Sequence, residues 1–193
     1  MAEFGTLTLL LALALAAYAT AGSLLGARRG IPELVVSARY ALYLNVPLLL
    51  LATATLVAAF VRHDFSIRYV FAHSSLAMPP QYIWVAFYAG NEGSLLYIAL
   101  ALAAVAALAV RTAPRRVLAS LPHTTAVLGL VEVFFVAVLV FLANPFAPTP
   151  FPAADGQGIN PLLTHPGMFF HPPALMLGLT AVAVPFAFAQ GAL

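Results

Sequence analysis

Residues 144–173 read NPFAPTPFPAADGQGINPLLTHPGMFFHPP. This stretch has no Lys or Arg, is rich in Pro, Gly and Phe, and ends in His171, directly before an apolar segment. A connection this long is uncommon in a compact protein unless it binds something or is disordered. Disorder is disfavoured because the stretch carries many large apolar side chains that can be buried: Phe146, Phe151, Leu162, Leu163, Met168, Phe169 and Phe170. The sequence therefore predicts a shaped loop surface that ends at His171.

The composition around this loop indicates an integral membrane protein. Of the 193 residues, 63% are hydrophobic and 7% are charged, whereas a soluble domain has roughly 25% charged residues. The net charge of +2 comes from arginine without lysine, which gives no support for nucleic-acid binding. The absence of Cys excludes disulfides, thiolate metal sites and a thiol nucleophile within this chain.

Five apolar segments have the length of about 20 residues that a membrane-spanning helix needs. The period is helical or continuously apolar, without the alternation of a membrane β-barrel. We therefore predict an all-α integral membrane protein with one membrane domain over residues 1–193. The predicted spans are Phe4–Gly26, Ala41–Val61, a part of Ile83–Val110, a part of Thr124–Ala143, and Pro172–Leu193.

The arginines predict the orientation of these spans. Most of them fall between spans one and two or between spans three and four: Arg28, Arg29, Arg39, Arg111, Arg115 and Arg116. Cytoplasmic loops carry an excess of Lys and Arg. We therefore expect an external N-terminus and two external loops, 63–82 and 144–171. The first span lacks basic residues ahead of its apolar run, so it is read as a retained span and not as a signal peptide.

The long third segment contains a polar break at residues 90–94. Gln81–Ala89, rich in Tyr, Trp and Phe, is expected to lie along the outer interface, with Glu92 where the segment turns into the membrane and Gly90 and Gly93 allowing a bend or a close helix approach. Glu92 is either part of a polar site or a favourable first-turn acid behind an Asn91 N-cap. Upstream, residues 69–75 (YVFAHSS) are expected to be extended.

His171 precedes Pro172 and Pro173, so we expect it to act as the N-cap of span five. The positive end of the helix dipole disfavours imidazolium, which leaves a lone pair free for a metal. Phe169 and Phe170 could supply an apolar wall, an arrangement that suits an axial ligand of haem iron. The alternative is that His171 only caps the helix and hydrogen-bonds a loop carbonyl. His165, within THPG, is interpreted as a turn residue.

Glu132 lies near the middle of span four, where a carboxyl group is costly and normally faces a partner. It is either a proton relay or a hydrogen-bonding group for a cofactor, or a buried polar contact between helices or to a partner subunit. The position of Glu132 within a span suggests an alternative function for the chain. In this alternative the chain is a membrane subunit of a proton- or ion-translocating complex that uses Glu92 and Glu132.

Three motifs resemble a known family. YVFAHSSLAMP at 69–79, YAGNEGSLLY at 88–97 and the 144–173 stretch are similar, in order and spacing, to the N-terminal region of the CcmF family. This family of cytochrome c maturation proteins belongs to the haem-handling superfamily with CcmC and CcsA. The resemblance covers roughly residues 69–193, and the first two spans fit in number.

The resemblance implies a multi-pass protein of the bacterial inner membrane, with a periplasmic functional face. Members receive b-type haem from the haem chaperone CcmE and aid its covalent attachment to apocytochrome c. Two external histidines flank a tryptophan-rich WWD segment and hold the incoming haem. His171 matches the first of these histidines, which implies an axial-ligand role. A second, membrane-embedded b-type haem is also implied. His73 and Glu92 match family segments without an assigned role.

The chain departs from the family pattern in one respect. Trp84 is its one tryptophan, and the sequence reaches Leu193 without a WWD segment. We therefore expect either an N-terminal part of a longer protein or a naturally split subunit, and not a haem lyase that is competent alone. The expected partners are CcmE, apocytochrome c, other maturation subunits or the remaining part of CcmF, and membrane lipids, with no nucleic acid.

Overall fold

The computed structural model describes residues 1–193 and contains eight α-helices. They are α1 Ala2–Arg29, α2 Pro32–Val61, α3 Arg68–His73, α4 Ile83–Phe87, α5 Asn91–Arg111, α6 Leu121–Phe141, α7 His171–Ala181 and α8 Ala183–Ala192. Five helical stretches are long and apolar enough to cross a membrane: α1, α2, α5, α6 and the region Pro166–Ala192 that contains α7 and α8. The prediction of an all-α membrane protein is confirmed.

Small residues let the long helices approach closely. α1 and α2 form an antiparallel hairpin whose turn places Gly30 in the left-handed region, at φ 64°. A Cβ atom on Gly22 of α1 would lie 3.0 Å from the Ala38 Cβ of α2, and one on Gly129 of α6 would lie 2.6 Å from Thr20 Oγ1 of α1. Such contacts are typical of membrane helices, which associate through close packing of small residues.

The chain connections give the bundle two different ends. The turn at residues 27–33 and the connection at 111–120, which together contain five of the eight arginines, lie at one end, called here the arginine end. The segments 62–90 and 142–170 lie at the other, the loop end. The larger hydrophobic core, which includes Phe60, Phe87 and Phe146, belongs to the loop-end half.

The two loop-end segments are joined by backbone hydrogen bonds. Arg68 donates its N–H to the Ala147 carbonyl at 2.9 Å, and Thr149 donates to the Ser66 carbonyl at 2.8 Å. Farther along, Gln157 donates to the Phe71 carbonyl at 2.8 Å. The long loop is therefore an ordered layer over the helices, because its backbone groups have partners.

Several boundaries differ from the predictions. Residues 68–73 form the short helix α3, so the extended conformation predicted for 69–75 is wrong. The helix allows Tyr69 and His73, four residues apart, to lie on one face with ring centroids 4.4 Å apart. The second span begins earlier than predicted, at Pro32, because proline suits the first turn of a helix.

The third and fifth spans are both interrupted. The third splits at residues 88–90 into α4 and α5, as the polar break predicted, but the N-cap of α5 is Gly90 and not Asn91. The fifth is broken at Val182, between α7 and α8. Pro185 explains this break, since it lacks the N–H that would bond four residues back.

Candidate functional site

His171 is the first residue of α7 and is exposed, and its ring forms no hydrogen bond with the rest of the chain. The N-cap is Phe170, whose carbonyl accepts the first helical hydrogen bond from Ala174 at 3.0 Å. The predicted N-cap position of His171 is therefore off by one residue. The alternative that its ring bonds a loop carbonyl has no support in the structure, and the imidazole is free to bind a ligand.

The segment that leads into His171 is held by side chains of the aromatic segment 82–88. The Trp84 indole Nε1 donates to the Phe169 carbonyl at 3.1 Å, and the Tyr88 hydroxyl donates to the Met168 carbonyl. Tyr88 is 4% exposed, and burial raises the pKa of its phenol to about 12. The neutral phenol is therefore the form that supports the loop.

Two further tyrosines hold the same region from either side of His171. Tyr82 donates its hydroxyl to the Thr164 carbonyl at 3.2 Å, and Tyr97, on α5, donates to the Pro173 carbonyl at 3.2 Å. Together with Trp84 and Tyr88, these residues form an aromatic clamp. The clamp fixes the backbone on both sides of His171 through four hydrogen bonds to carbonyl groups.

Sequence reasoning missed the clamp as a unit and expected the aromatic segment to lie along the membrane interface. In the structure Phe87 and Tyr88 are buried, and Trp84 is 41% exposed. The sequence did contain a signal for the clamp, because buried Tyr and Trp side chains need hydrogen-bond partners. The loop, rich in proline, has many carbonyls that no local N–H can satisfy.

The two phenylalanines beside His171 have different environments. Phe169 is half-buried and packs against Tyr82 with a centroid distance of 5.8 Å. Phe170 is 80% exposed. Phe169 therefore belongs to the scaffold, while Phe170 is available, next to His171, for contact with an apolar ligand.

His165 is a turn residue, as predicted. Its Nδ1 accepts a hydrogen bond from the Gly167 N–H at 3.0 Å and caps the 3₁₀ turn Pro166–Phe169. This bond engages one ring nitrogen in the local fold, which distinguishes His165 from the free ring of His171.

His73 packs in the loop-end layer and contributes to its structure. Its Nδ1 lies 3.0 Å from the Tyr69 carbonyl oxygen, and its Nε2 would lie 2.7 Å from a Cβ atom at position 90. Gly90 is thus needed for this close approach. The His73 ring is hydrogen-bonded through Nδ1 and packed against Gly90, and it lies in a different element from His171.

Glu92 lies in the first turn of α5, where a carboxylate suits the positive end of the helix dipole. The buried Tyr69 hydroxyl bridges to this turn, since it donates to the Phe87 carbonyl at 3.1 Å and accepts the Gly90 N–H at 2.9 Å. Burial raises the pKa of the Tyr69 phenol, and the negative charge of Glu92 raises it further. This arrangement stabilises the start of α5.

Glu132 is fully buried on α6, and both of its carboxyl oxygens lack a hydrogen-bond partner. The side-chain amide of Asn45, itself fully buried on α2, is its polar neighbour. Glu132 is near the middle of its helix, whereas Glu92 is at the loop end of α5. The structure does not bring the two acids of the predicted relay together.

No group of three or more His, Cys, Asp or Glu side chains converges to hold a metal ion. His171 could instead serve as a single nitrogen ligand to an iron that a porphyrin already binds through four nitrogens. The exposed, unbonded ring, the neighbouring Phe170 and the clamped backbone fit this role.

Comparison with known proteins gives a consistent assignment. CcmF, the cytochrome c-type biogenesis protein of Pseudomonas aeruginosa, is 37% identical over 195 residues, which is 99% of this chain and 29% of that protein. Escherichia coli CcmF is 34% identical over 194 residues, which is 100% of this chain and 30% of that protein. The solved structure of the cytochrome c heme lyase CcmF superposes with a TM-score of 0.83 at 28% identity, and the match covers 99% of this chain and 30% of the other.

The chain belongs to the CcmF family and corresponds to its N-terminal region. It spans about 30% of the length of the CcmF proteins it matches. None of the protein-family models compared with the chain matches it. A probable cytochrome c-type biogenesis protein NrfE of Escherichia coli is also similar, at 38% identity over 137 residues, or 71% of this CcmF-type chain.

Proposed function

We propose that this chain supplies His171 as one axial ligand to haem while the haem is attached to apocytochrome c by a CcmF-type lyase. The observation that carries the proposal is the free, exposed imidazole at the first turn of α7, on a backbone held by the aromatic clamp. Membership of the CcmF family gives the reaction class. The apolar Phe170 beside the ring supplies contact area for a porphyrin face.

The chemistry is the addition of a cysteine thiol across a haem vinyl group. The sulfur forms a bond to one vinyl carbon, and the thiol hydrogen is delivered to the other carbon, without net oxidation or reduction. Both thiols belong to apocytochrome c, so the absence of Cys from this chain is compatible with the role. His171 would hold the haem while the thiols approach.

The remaining parts of the proposal follow from the family. Residues 1–193 act as a membrane domain of the bacterial inner membrane, with loops 63–82 and 144–171 on the periplasmic face. Haem arrives as b-type haem from the chaperone CcmE, and the second axial ligand comes from another part of the lyase.

The test uses the full-length lyase complex, purified with His171→Gly, and compares its visible haem spectrum and the yield of cytochrome c with those of the unchanged complex. We expect loss of the externally bound haem, loss of cytochrome c, and partial recovery of the spectrum when imidazole is added. His165→Ala is the matched control, since its ring is engaged in a turn. An unchanged spectrum and a normal cytochrome c yield in His171→Gly would refute the proposal.

A further inference from the structure

Most of the buried polar atoms without a partner in this protein lie between the middle of the bundle and the arginine end. They belong to Ser23 on α1, Arg39 and Asn45 on α2, and Glu132 on α6. Ser23, Asn45 and Glu132 are each fully buried. Unpartnered polar groups are costly inside a membrane, where water is not freely available to satisfy them. We therefore expect these atoms either to bind a further species or to have a function.

The pair formed by Glu132 and Asn45 is suited to hold a proton. No cation lies beside the carboxyl group, and the amide of Asn45 is its polar neighbour. A carboxylate at this depth would lack a counter-charge, whereas a carboxylic acid can donate a hydrogen bond to an amide oxygen. The geometry thus favours the neutral acid over the anion.

The surrounding helices provide no other titratable partner for Glu132. It faces α1, α2, α5 and α8, which pack against α6, and α8 has no titratable side chain. The titratable side chains of α1, α2 and α5 form no hydrogen bond with Glu132. These side chains are Glu3, Tyr18, Arg28, Arg29, Glu33, Arg39, Tyr40, Tyr43, Glu92, Tyr97 and Arg111.

Polar groups connect this pair to the arginine end. Thr20 packs against Gly129, one helical turn from Glu132 on α6. Ser23 lies three residues from both Thr20 and Gly26 on α1, so it neighbours each of them on the helix surface. Gly26 and Arg39 line an open cleft of about 500 Å³ at the arginine end. Successive positions are about 4.5 Å apart along the helix axis, a distance that one bridging water molecule spans.

We propose that Glu132 and Asn45 form a buried proton-binding site in the middle of the bundle, reached from the arginine end through Ser23 and Thr20. Thr20 already donates its hydroxyl to the Ala16 carbonyl at 2.9 Å, so it takes part as an acceptor. The Ser23 hydroxyl has no partner and can donate and accept. The site is independent of haem and of His171.

Infrared spectroscopy of the full chain in lipid nanodiscs tests the site without haem. At neutral pH we expect a carboxylic acid C=O band that is absent in Glu132→Gln and shifted to higher frequency in Asn45→Leu. The second variant keeps the carboxyl group, so it reports on the same band should Glu132→Gln fail to fold. Absence of any acid band that depends on Glu132 or Asn45 would overturn the proposal.

The route is tested by the exchange of this band after transfer to heavy water. We expect Ser23→Ala and Thr20→Val to slow the shift of the band at least about tenfold, a change in barrier of about 1.4 kcal/mol. Thr8→Val is the matched control, because Thr8 is a buried hydroxyl on α1 toward the loop end. Equal exchange rates in all three variants and the unchanged chain would overturn the assignment of the route.

Discussion

The indole N–H of Trp84 donates a hydrogen bond to the Phe169 carbonyl oxygen, 3.1 Å away and two residues before His171. This bond joins residues 85 positions apart in the chain. It ties the loop that carries the candidate ligand to the short helix α4. The geometry of the site therefore depends on residues that have no part in the proposed chemistry.

Removing donors of the clamp should loosen the loop while preserving the helices. We expect Trp84→Phe, Tyr82→Phe and Tyr97→Phe each to weaken the local structure of residues 160–175 by about 1 kcal/mol, because each loses one hydrogen bond. Hydrogen exchange of the amides in this segment measures the effect. Tyr40→Phe is the control, since Tyr40 is 62% exposed on α2. Equal exchange in the clamp variants and the control would contradict the clamp.

The raised pKa of the Tyr88 phenol predicts that the loop before His171 loosens at alkaline pH. Its pKa is raised from 10.0 to about 12 by burial, so the folded protein binds this proton more tightly than the unfolded chain does. The stabilising contribution is therefore complete below pH 10 and is lost as the pH rises through about 12. Hydrogen exchange and tyrosinate absorbance across this range should show release of residues 166–170.

The Tyr88→Phe variant provides the comparison for that titration. It lacks the ionising group, so we expect residues 166–170 to be loose at neutral pH and to show no further change between pH 10 and 12. A release that occurs with the same pH dependence in Tyr88→Phe would assign the transition to another group.

Gly93 should not tolerate a methyl group. A Cβ atom there would overlap the Phe87 carbonyl group, at the point where α4 meets α5. We expect Gly93→Ala to destabilise the protein by at least about 1–3 kcal/mol, the usual cost of overpacking. Thermal unfolding in nanodiscs measures it. Gly178→Ala is the matched control, because nothing lies within 4 Å of a Cβ atom at that helical position. A neutral Gly93→Ala would show that α4 and α5 can separate.

Phe146 anchors the start of the long loop beneath α1. It is 1% exposed and fills the space beside Gly5, where a Cβ atom would collide with its ring. Phe146→Ala should cost about 3–5 kcal/mol, as for other buried aromatic residues. Phe141→Ala, at a position that is 70% exposed, should have little effect on the unfolding temperature. Similar losses in both variants would mean that Phe146 is not an anchor.

The predicted spans agree with the structure where hydropathy decides them. Apolar length alone marks α1, α2, α5 and α6, because a helix must satisfy its own backbone within the membrane. Local propensity failed at residues 69–75, where aromatic and branched residues suggested extended backbone. There the helix α3 is fixed by long-range contacts of Tyr69 and His73 with Gly90, and those contacts cannot be read from the local sequence.

Hydropathy and motifs, which are local properties of the chain, were enough to predict the class of protein, the five apolar helices and the likeness of the 144–173 stretch to CcmF. Tertiary structure alone showed that the rings of His165 and His171 differ, with one engaged in a turn and the other free. It also placed Asn45 beside Glu132 and the aromatic clamp around His171. Those relationships join residues far apart in sequence, and only the packing of the helices brings them together.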